Sequence, residues 1–288
     1  MASIGIDIGG TSVKAALLGP GAPPACAAPG AAYTRPSRDE LLLAVRNAAR
    51  SLDTRGVVAV GICAPGIVDH ASGRFTASVN VPGLVGLSLS ELIEPLELPN
   101  ASARLVTDAH AAAADFAHRV SPLPARVLAL SLGTGVGACM LDQGVPLIFS
   151  GRSPGHFGQL DVSLDDHPPI GPDGGAGGLE AYIGLPALTA RYGCRPEQLP
   201  PILAALTPDD PPLRALARAI RIGHAMFRPD AVWLLGGVGV ALRPALPLLR
   251  GLVAHNLTSL ARPGWALESG ADGFHAARGA ARLAEDDR

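Results

Sequence analysis

The sequence predicts an α/β protein of two lobes, and three observations carry that reading. Compact apolar runs such as Val57 to Cys63 and Val127 to Leu132 alternate with helical patterns such as Ser37 to Leu52 and Pro212 to Phe227. At 288 residues the chain exceeds a usual single domain of roughly 100 to 200 residues and can bury a sizeable core. A design of strand, Gly/Thr turn and returning strand opens the chain at Ser3 and recurs from Val127 to Leu141, as a duplicated fold requires.

The opening strand, Ser3 to Ile8, runs into Gly9-Gly10-Thr11 and a second strand beginning near Val13. Glycines there let backbone approach a ligand closely, successive N–H groups can face one concavity, and Thr11 adds a hydroxyl donor, a combination that suits a phosphate. Asp7 stands at the mouth of the turn, where a carboxylate tolerates a phosphate only with a divalent cation between them; this implies Mg²⁺ held largely through water. The same residues also suit a tight hairpin whose Asp caps the turn. Residues 20 to 36, rich in Ala, Pro and Gly, read as a loop with one short edge strand, followed by a helix from Ser37 to Leu52 with Ser37 and Glu40 as a capping box.

Val57 to Cys63 reads as a buried strand that ends in Ala64-Pro65-Gly66-Ile67-Val68-Asp69, a loop of the kind on which function collects. An irregular stretch with Asn80-Val81-Pro82-Gly83-Leu84, a short helix from Leu89 and a strand from Ala103 to Val106 lead to Thr107-Asp108-Ala109-His110 and an alanine-rich helix to about Arg119. Asp108 thus falls where a strand ends and a helix begins.

Val127 to Leu132 is the next strand, and Gly133-Thr134-Gly135-Val136-Gly137 turns it into Ala138 to Leu141. Asp142-Gln143-Gly144 is a tight hairpin signal leading to Val145 to Phe149. Ser150 to Gly178, dominated by Gly, Pro, Asp and His, reads as loop. Helical patterns follow at Leu179 to Tyr192, Glu197 to Leu206 and Pro212 to Phe227, then a strand at Ala231 to Leu235. Gly236-Gly237-Val238-Gly239 opens a helix that carries Leu242 to Leu252, and an amphipathic helix at His275 to Ala284 closes the pattern.

Composition narrows the function. Hydrophobic residues make up 48% and charged residues 17%, which excludes wholesale disorder. With 23 Lys plus Arg against 25 Asp plus Glu, the net charge is −2, and no basic run accumulates, so nucleic acid is not an expected partner. No apolar stretch reaches the ~18 residues of a membrane span, and no basic leader precedes the first strand; the expectation is a cytoplasmic protein without a membrane partner. The four cysteines, Cys26, Cys63, Cys139 and Cys194, form no CxxC pair, so neither a disulfide framework nor a thiolate zinc site is indicated.

Two Gly/Thr phosphate turns and a late strand followed by Gly-Gly resemble the actin and hexokinase nucleotide-binding architecture, and within it the chain resembles the ROK family of sugar kinases and related repressors. Asp7 to Lys14 matches the first phosphate motif, Gly61 to Asp69 the Pro-Gly strand exit, Gly133 to Gly137 the second phosphate motif and Leu235 to Val240 the adenosine-side Gly-Gly. Glu180-Ala181-Tyr182 matches a family Glu-Ala-Tyr, and Ala276 to Ala284 the closing helix. The resemblance implies a two-lobed actin-like ATPase, or ribonuclease H-like, fold with an interlobe active-site cleft. It also implies a small N-terminal lobe of residues 1–110 joined by the closing helix 275–288, and a large C-terminal lobe of residues 111–274.

The resemblance further implies that ATP is the donor, a sugar or sugar-like compound the acceptor, and a homodimer formed through the second lobe the assembly. The apolar helices between Leu179 and Phe227 point the same way to a dimer, since they exceed what one lobe's core needs. By this resemblance Asp108 is the catalytic Asp that takes the proton of the attacking sugar hydroxyl; as residues alone, an Asp at a strand exit also suits a helix N-cap. Gly66 and Asn80 match sugar-contacting positions, and Glu180 matches a glutamate that reaches the sugar, with a plain helix-start Glu as the alternative. Asp7, Gly9, Gly10, Thr11, Lys14, Gly133, Thr134, Gly135, Gly236 and Gly237 fall on the nucleotide side, with Asp7 holding Mg²⁺ through water.

Departures from the family are informative. His156-Phe157-Gly158-Gln159 stands where the family carries Glu-x-Gly-His, and Thr107 stands where many members carry Asn. The cysteine-rich zinc loop before Glu180 is replaced by residues 166–178 without Cys, so no zinc site is expected. His156, His167, Asp161, Asp165 and Asp166 remain as a different, less expected metal set. The leading expectation is an ATP-dependent sugar kinase; the alternative is a catalytically inactive, sugar-binding ROK-like protein. Because ROK repressors carry a helix-turn-helix ahead of the first phosphate motif, which here begins at residue 4, a DNA-binding repressor is not expected.

Overall fold

The structure, a computed structural model, describes residues 2–27, 32–69, 71–148 and 155–285. The chain divides into two compact units, residues 1–119 with 274–288, and residues 120–273.

The first unit opens with β1 (Ala2–Ile8) and β2 (Val13–Leu18), an antiparallel pair, with β3 (Ala25–Ala27) as edge strand. Helix α1 (Arg38–Arg50) starts as its sequence dictates: the Ser37 N–H donates to Glu40 Oε2 at 2.8 Å, and the Glu40 N–H donates to Ser37 Oγ at 3.3 Å. Strand β4 (Val57–Cys63) runs parallel to β1. A small hairpin of β5 (Ile67–Asp69) and β6 (Arg74–Ala77), absent from the sequence reading, precedes α2 (Leu89–Ile93), β7 (Ser102–Val106) and α3 (Asp108–Ala117). The sheet order is β3-β2-β1-β4-β7, with β4 and β7 parallel. On β1 the period of two is strict: Ile4, Ile6 and Ile8 join one core with Leu41 and Val45 of α1, while Ser3, Gly5 and Asp7 face the other side.

The second unit repeats this order. Strands β8 (Arg126–Leu132) and β9 (Val136–Asp142) form an antiparallel hairpin, and β10 (Val145–Pro146) is its short edge; the rest of the run assigned to this strand, Phe149 included, is not strand or lies outside the described residues. The helix expected over Leu179 to Tyr192 is two, α4 (Leu179–Ile183) and α5 (Leu185–Tyr192), because Gly184 is extended and Pro186 starts a new first turn rather than continuing the old one. Helices α6 (Leu199–Ala204) and α7 (Pro211–Phe227) then lead to β11 (Ala231–Leu235). The next expected helix is also divided, into α8 (Gly236–Ala241) and α9 (Leu246–His255), by a turn containing Pro244. Strand β12 (Ala266–Ser269), too short to carry a pattern, pairs parallel with β11, and the sheet order is β10-β9-β8-β11-β12.

The apolar residues of the second unit's helices, among them Leu188, Leu203, Leu216 and Ile220, are spent in its own core. Among the described residues from 179 to 227, Met226 is the one large apolar side chain left exposed, which removes the surplus on which the dimer argument rested.

The chain ends on α10 (His275–Glu285), which packs in the first unit against β1, β4 and α3. A Cβ at Gly5, Gly61 or Gly279 would overlap the backbone of Ala277, Ala280 or Ala111 respectively, so backbones meet directly here. This pairing draws α3 into the first compact unit, which runs to residue 119. No helix among the described residues is long and apolar enough to cross a membrane.

Candidate active site

In the first unit, strand register places Asp7 beside Cys63 and Cys63 beside Val106. Asp7, the exit at residues 64–66 and Thr107-Asp108 therefore share the carboxyl edge of three parallel strands, where open α/β sheets bind ligands. Lys14 stands opposite Asp7 on β2. Asp7 is only 8% exposed; burial raises its carboxyl above the ordinary range, partly offset by the charge of Lys14 and by the Cys63 thiol, which donates to Oδ1 at 3.6 Å. Burial, with the charges of Asp7 and Asp108, pushes the Cys63 thiol well up, so it stays protonated.

Thr107, not Asp108, caps α3: its Oγ1 accepts the His110 N–H at 3.3 Å. The capping role that the residues left open for Asp108 is thereby taken, and Asp108 is the first helical residue, half-buried, where the helix N-terminus favours its charge. Gly66 has φ +139°, and a Cβ on it would sit 2.6 Å from the Ala77 carbonyl oxygen. Ser78 Oγ donates to the Pro65 carbonyl at 2.9 Å, so the strand exit is tied to the segment that carries half-buried Asn80. In the turn after β1, the Gly9 N–H donates to the Ser12 carbonyl at 3.0 Å, and Tyr33 donates its hydroxyl to the Gly9 carbonyl at 2.7 Å.

In the second unit, the Gly133 N–H donates to the Gly135 carbonyl at 3.0 Å, and the Gly133 carbonyl accepts the Leu185 N–H at 2.8 Å. Gly236 follows β11 with φ +76°, and a Cβ there would overlap the Leu132 carbonyl, which packs Gly236 against the end of β8. At Gly133 and Gly237 a Cβ would meet nothing within 4 Å. The fold itself does not need glycine at those two positions, since no neighbour would crowd a side chain there. Thr134 lies on the same turn, its carbonyl oxygen near Gly184.

Glu180 makes a contact within its own unit. Its Oε2 accepts the Val136 N–H at 3.0 Å, bracing the exit of the second turn from the start of α4. His156 and Gln159 are exposed on either side of buried Gly158, where a Cβ would stand 2.8 Å from the Val136 carbonyl oxygen and 3.2 Å from Glu180 Oε2. The substituted motif, Glu180 and the second turn are thus one neighbourhood.

The segment in place of the zinc loop is bonded rather than held by turns alone. Asp161 Oδ1 accepts the Ser163 N–H at 2.8 Å and its hydroxyl at 2.6 Å, the Val162 N–H donates to Gly177 at 2.9 Å, and Arg218 donates to the Ser163 carbonyl. Asp165 accepts the His167 N–H at 3.0 Å, and among the described residues no group of three or more His, Cys, Asp or Glu side chains is placed to hold a metal ion.

Two groups escape the sequence. Tyr33 sits in residues 20 to 36, read as loop with one short edge strand, where nothing singles it out. Asp115, buried on α3, receives His275 Nδ1 at 2.7 Å, Arg278 Nε at 2.9 Å and Arg282 Nε at 3.1 Å. The available signal was an acid within an alanine-rich helix, and Arg278 and Arg282 one turn apart on the closing helix.

The ROK family profile matches residues 3–287. Among solved structures the chain is similar to the ROK hexokinase of Thermus thermophilus, at 22% identity and TM-score 0.71, covering 100% of this chain and 99% of that one. It is similar to a ROK family glucokinase from Streptomyces griseus in complex with glucose and AMPPNP, at 21% identity and TM-score 0.73, covering 99% and 100%. It is also similar to a ROK family transcriptional regulator homologous to the E. coli MLC protein, at 18% identity and TM-score 0.70, covering 99% of this chain and 78% of that one. No curated protein sequence matches the chain. At these identities the structures carry the fold, and the family profile spans nearly the whole chain; the chain belongs to the ROK family.

Proposed function

We infer that the protein is an ATP-dependent kinase that transfers the γ-phosphoryl group to a hydroxyl of a sugar or sugar-like compound. The observation that carries this reading is the grouping of Asp7, Lys14 and Asp108 at one strand edge, with Thr107 rather than Asp108 spent on the helix cap. Phosphoryl transfer asks for positioning and charge neutralisation more than for a strong base. The acceptor oxygen attacks the γ-phosphorus, its proton passes to the Asp108 carboxylate, the bond to the β–γ bridging oxygen breaks, and ADP leaves. In the first unit the turn at Gly9 to Thr11 offers the N–H groups of Gly10 and Thr11, with Lys14, to phosphate; in the second unit the turn at Gly133 to Gly135 serves phosphate, and Gly236 and Gly237 the adenosine. Mg²⁺, when bound, neutralises phosphate charge, and the buried Asp7 is the carboxylate fitted to hold its water shell. The acceptor contacts proposed in the first unit are Gly66, Asn80 and Thr107, and those proposed in the second unit are His156, Gln159 and Glu180.

The test is a broad acceptor screen with Mg²⁺ and ATP, read as ADP release, covering sugars, amino sugars, polyols and cyclitols. Acceptor-dependent release is the expected result. Glucose is expected to be a poor acceptor, because His156 and Gln159 replace a fixed negative acceptor with a titratable ring and an amide. The replacement of both motif residues, by His156 and Gln159, favours a second reading, an inactive sugar-binding protein. Acceptor binding without ADP release from any compound would establish that reading instead. A homodimer stays part of the kinase proposal, and a monomer mass in light scattering would remove it.

A further inference from the structure

We propose that Tyr33 is a positioning residue for the phosphate-binding turn of residues 9–12, and that the segment it heads, residues 33–37, ties that turn to the one following Asn80. The inference rests on the kinase reading. Tyr33 holds the turn twice: its hydroxyl donates to the Gly9 carbonyl at 2.7 Å and its N–H donates to the Thr11 carbonyl at 2.9 Å. In a trans peptide the C=O and the following N–H point in opposite directions. Fixing the Gly9 and Thr11 carbonyls toward Tyr33 therefore turns the Gly10 and Ser12 N–H groups away from it. Among the described residues the N–H groups of Gly10, Thr11 and Ser12 meet no internal acceptor. They are aimed donors that no described residue of the unit satisfies, as an anion site requires. Left unanchored, either peptide can flip and present a carbonyl oxygen to the phosphate.

The same segment reaches the acceptor side. The carbonyl of buried Pro36 accepts the Gly83 N–H at 3.0 Å, and a Cβ at Gly83 would stand 2.6 Å from the Ser37 carbonyl oxygen. Gly83 lies just past Asn80, so one short strap of chain touches both the nucleotide turn and the turn beside a proposed acceptor contact.

The experiment measures binding of AMPPNP with Mg²⁺, and separately of adenosine, by calorimetry to the unaltered protein, Tyr33→Phe and Gly83→Ala. Tyr33→Phe keeps the ring and the backbone bond and deletes one hydroxyl, so AMPPNP affinity is expected to fall about fivefold, the effect of one net hydrogen bond. Adenosine affinity is expected to stay unchanged, since it carries no phosphate; a merely structural lesion would weaken both. Gly83→Ala, which must displace the strap at its other end, is expected to weaken AMPPNP in the same selective way, and it decides the matter should Tyr33→Phe fail to fold. Unchanged AMPPNP affinity in the folded variants, or equal loss of both ligands, overturns the inference while the kinase reading stands. Failure of the unaltered protein to bind AMPPNP overturns both.

Discussion

Asp108 and His224 show two ways in which a single side chain can be read from its surroundings. Asp108 begins a helix whose cap is already made by its neighbour, so its removal bears on chemistry before stability. Asp108→Asn keeps the size and can still hydrogen-bond a hydroxyl but cannot take its proton; kcat is expected to fall roughly 10²- to 10⁴-fold with AMPPNP affinity unchanged. Steady-state kinetics beside calorimetry checks this, and comparable kcat in the variant removes Asp108 from the mechanism. His224 is 2% exposed, meets Trp265 edge-on with ring centroids 4.7 Å apart, and has no hydrogen-bond partner for either ring nitrogen among the described residues. Burial lowers its pKa, so the neutral ring is the folded form. An unfolded His takes its proton near pH 6.5, as an unperturbed side chain does, while the folded one takes it only lower. Between those values the unfolded state binds more protons, and stability falls as pH drops below about 6.5. Melting temperatures from pH 7.5 to 5 are expected to decline, with a shallower decline in His224→Leu; identical slopes would contradict this.

At the scale of elements, the contact of α3 with α10 dominates the first unit. Burial alone would raise the Asp115 carboxyl, and the bonds from His275, Arg278 and Arg282 outweigh it, holding it well below the usual range. A depressed carboxylate contributes stability above its unfolded pKa, about 3.9, and that contribution is lost as pH falls below this value through the folded pKa. Asp115→Ala leaves buried cations facing one another without an anion and is expected to destabilise by about 3–5 kcal/mol, measurable by urea unfolding. Because α3 also carries Asp108, kcat in this variant is expected to fall as well. A loss under about 1 kcal/mol would mean that the close backbone packing at Gly5, Gly61 and Gly279 holds the pair unaided.

Across the whole molecule, two sheets share one strand order, and in each the proposed ligand residues follow the carboxyl ends of the central strands. Stability here is expected not to depend on zinc: the segment before Glu180 is closed by Asp161, Ser163, Gly177 and Arg218 instead of thiolates. Elemental analysis is expected to find no stoichiometric zinc, and a zinc chelator is expected to leave the melting temperature unchanged. One zinc per chain, or a marked drop on chelation, would overturn that.

Local chemistry was enough for much of this protein. The capping box at Ser37 and Glu40, the alternation along β1, the two Gly/Thr turns and the placing of Asp108 at a strand exit all depend on residues a few positions apart, and all were legible in the chain. What escaped depends on distant partners. Nothing near Gly5, Gly61 or Gly279 in the sequence calls for glycine; the return of α10 to lie against β1, β4 and α3 does. Asp115 gains its partners only where His275 and Arg278 arrive from 160 residues and more along the chain. Tyr33 lies in a stretch without periodicity, and only the fold sets it beneath Gly9 and Thr11. Periodicity and capping record the free energy of a segment with itself and with a generic apolar core. The partners of a buried charge or a bare backbone carbonyl are chosen by tertiary packing, and no local pattern encodes them.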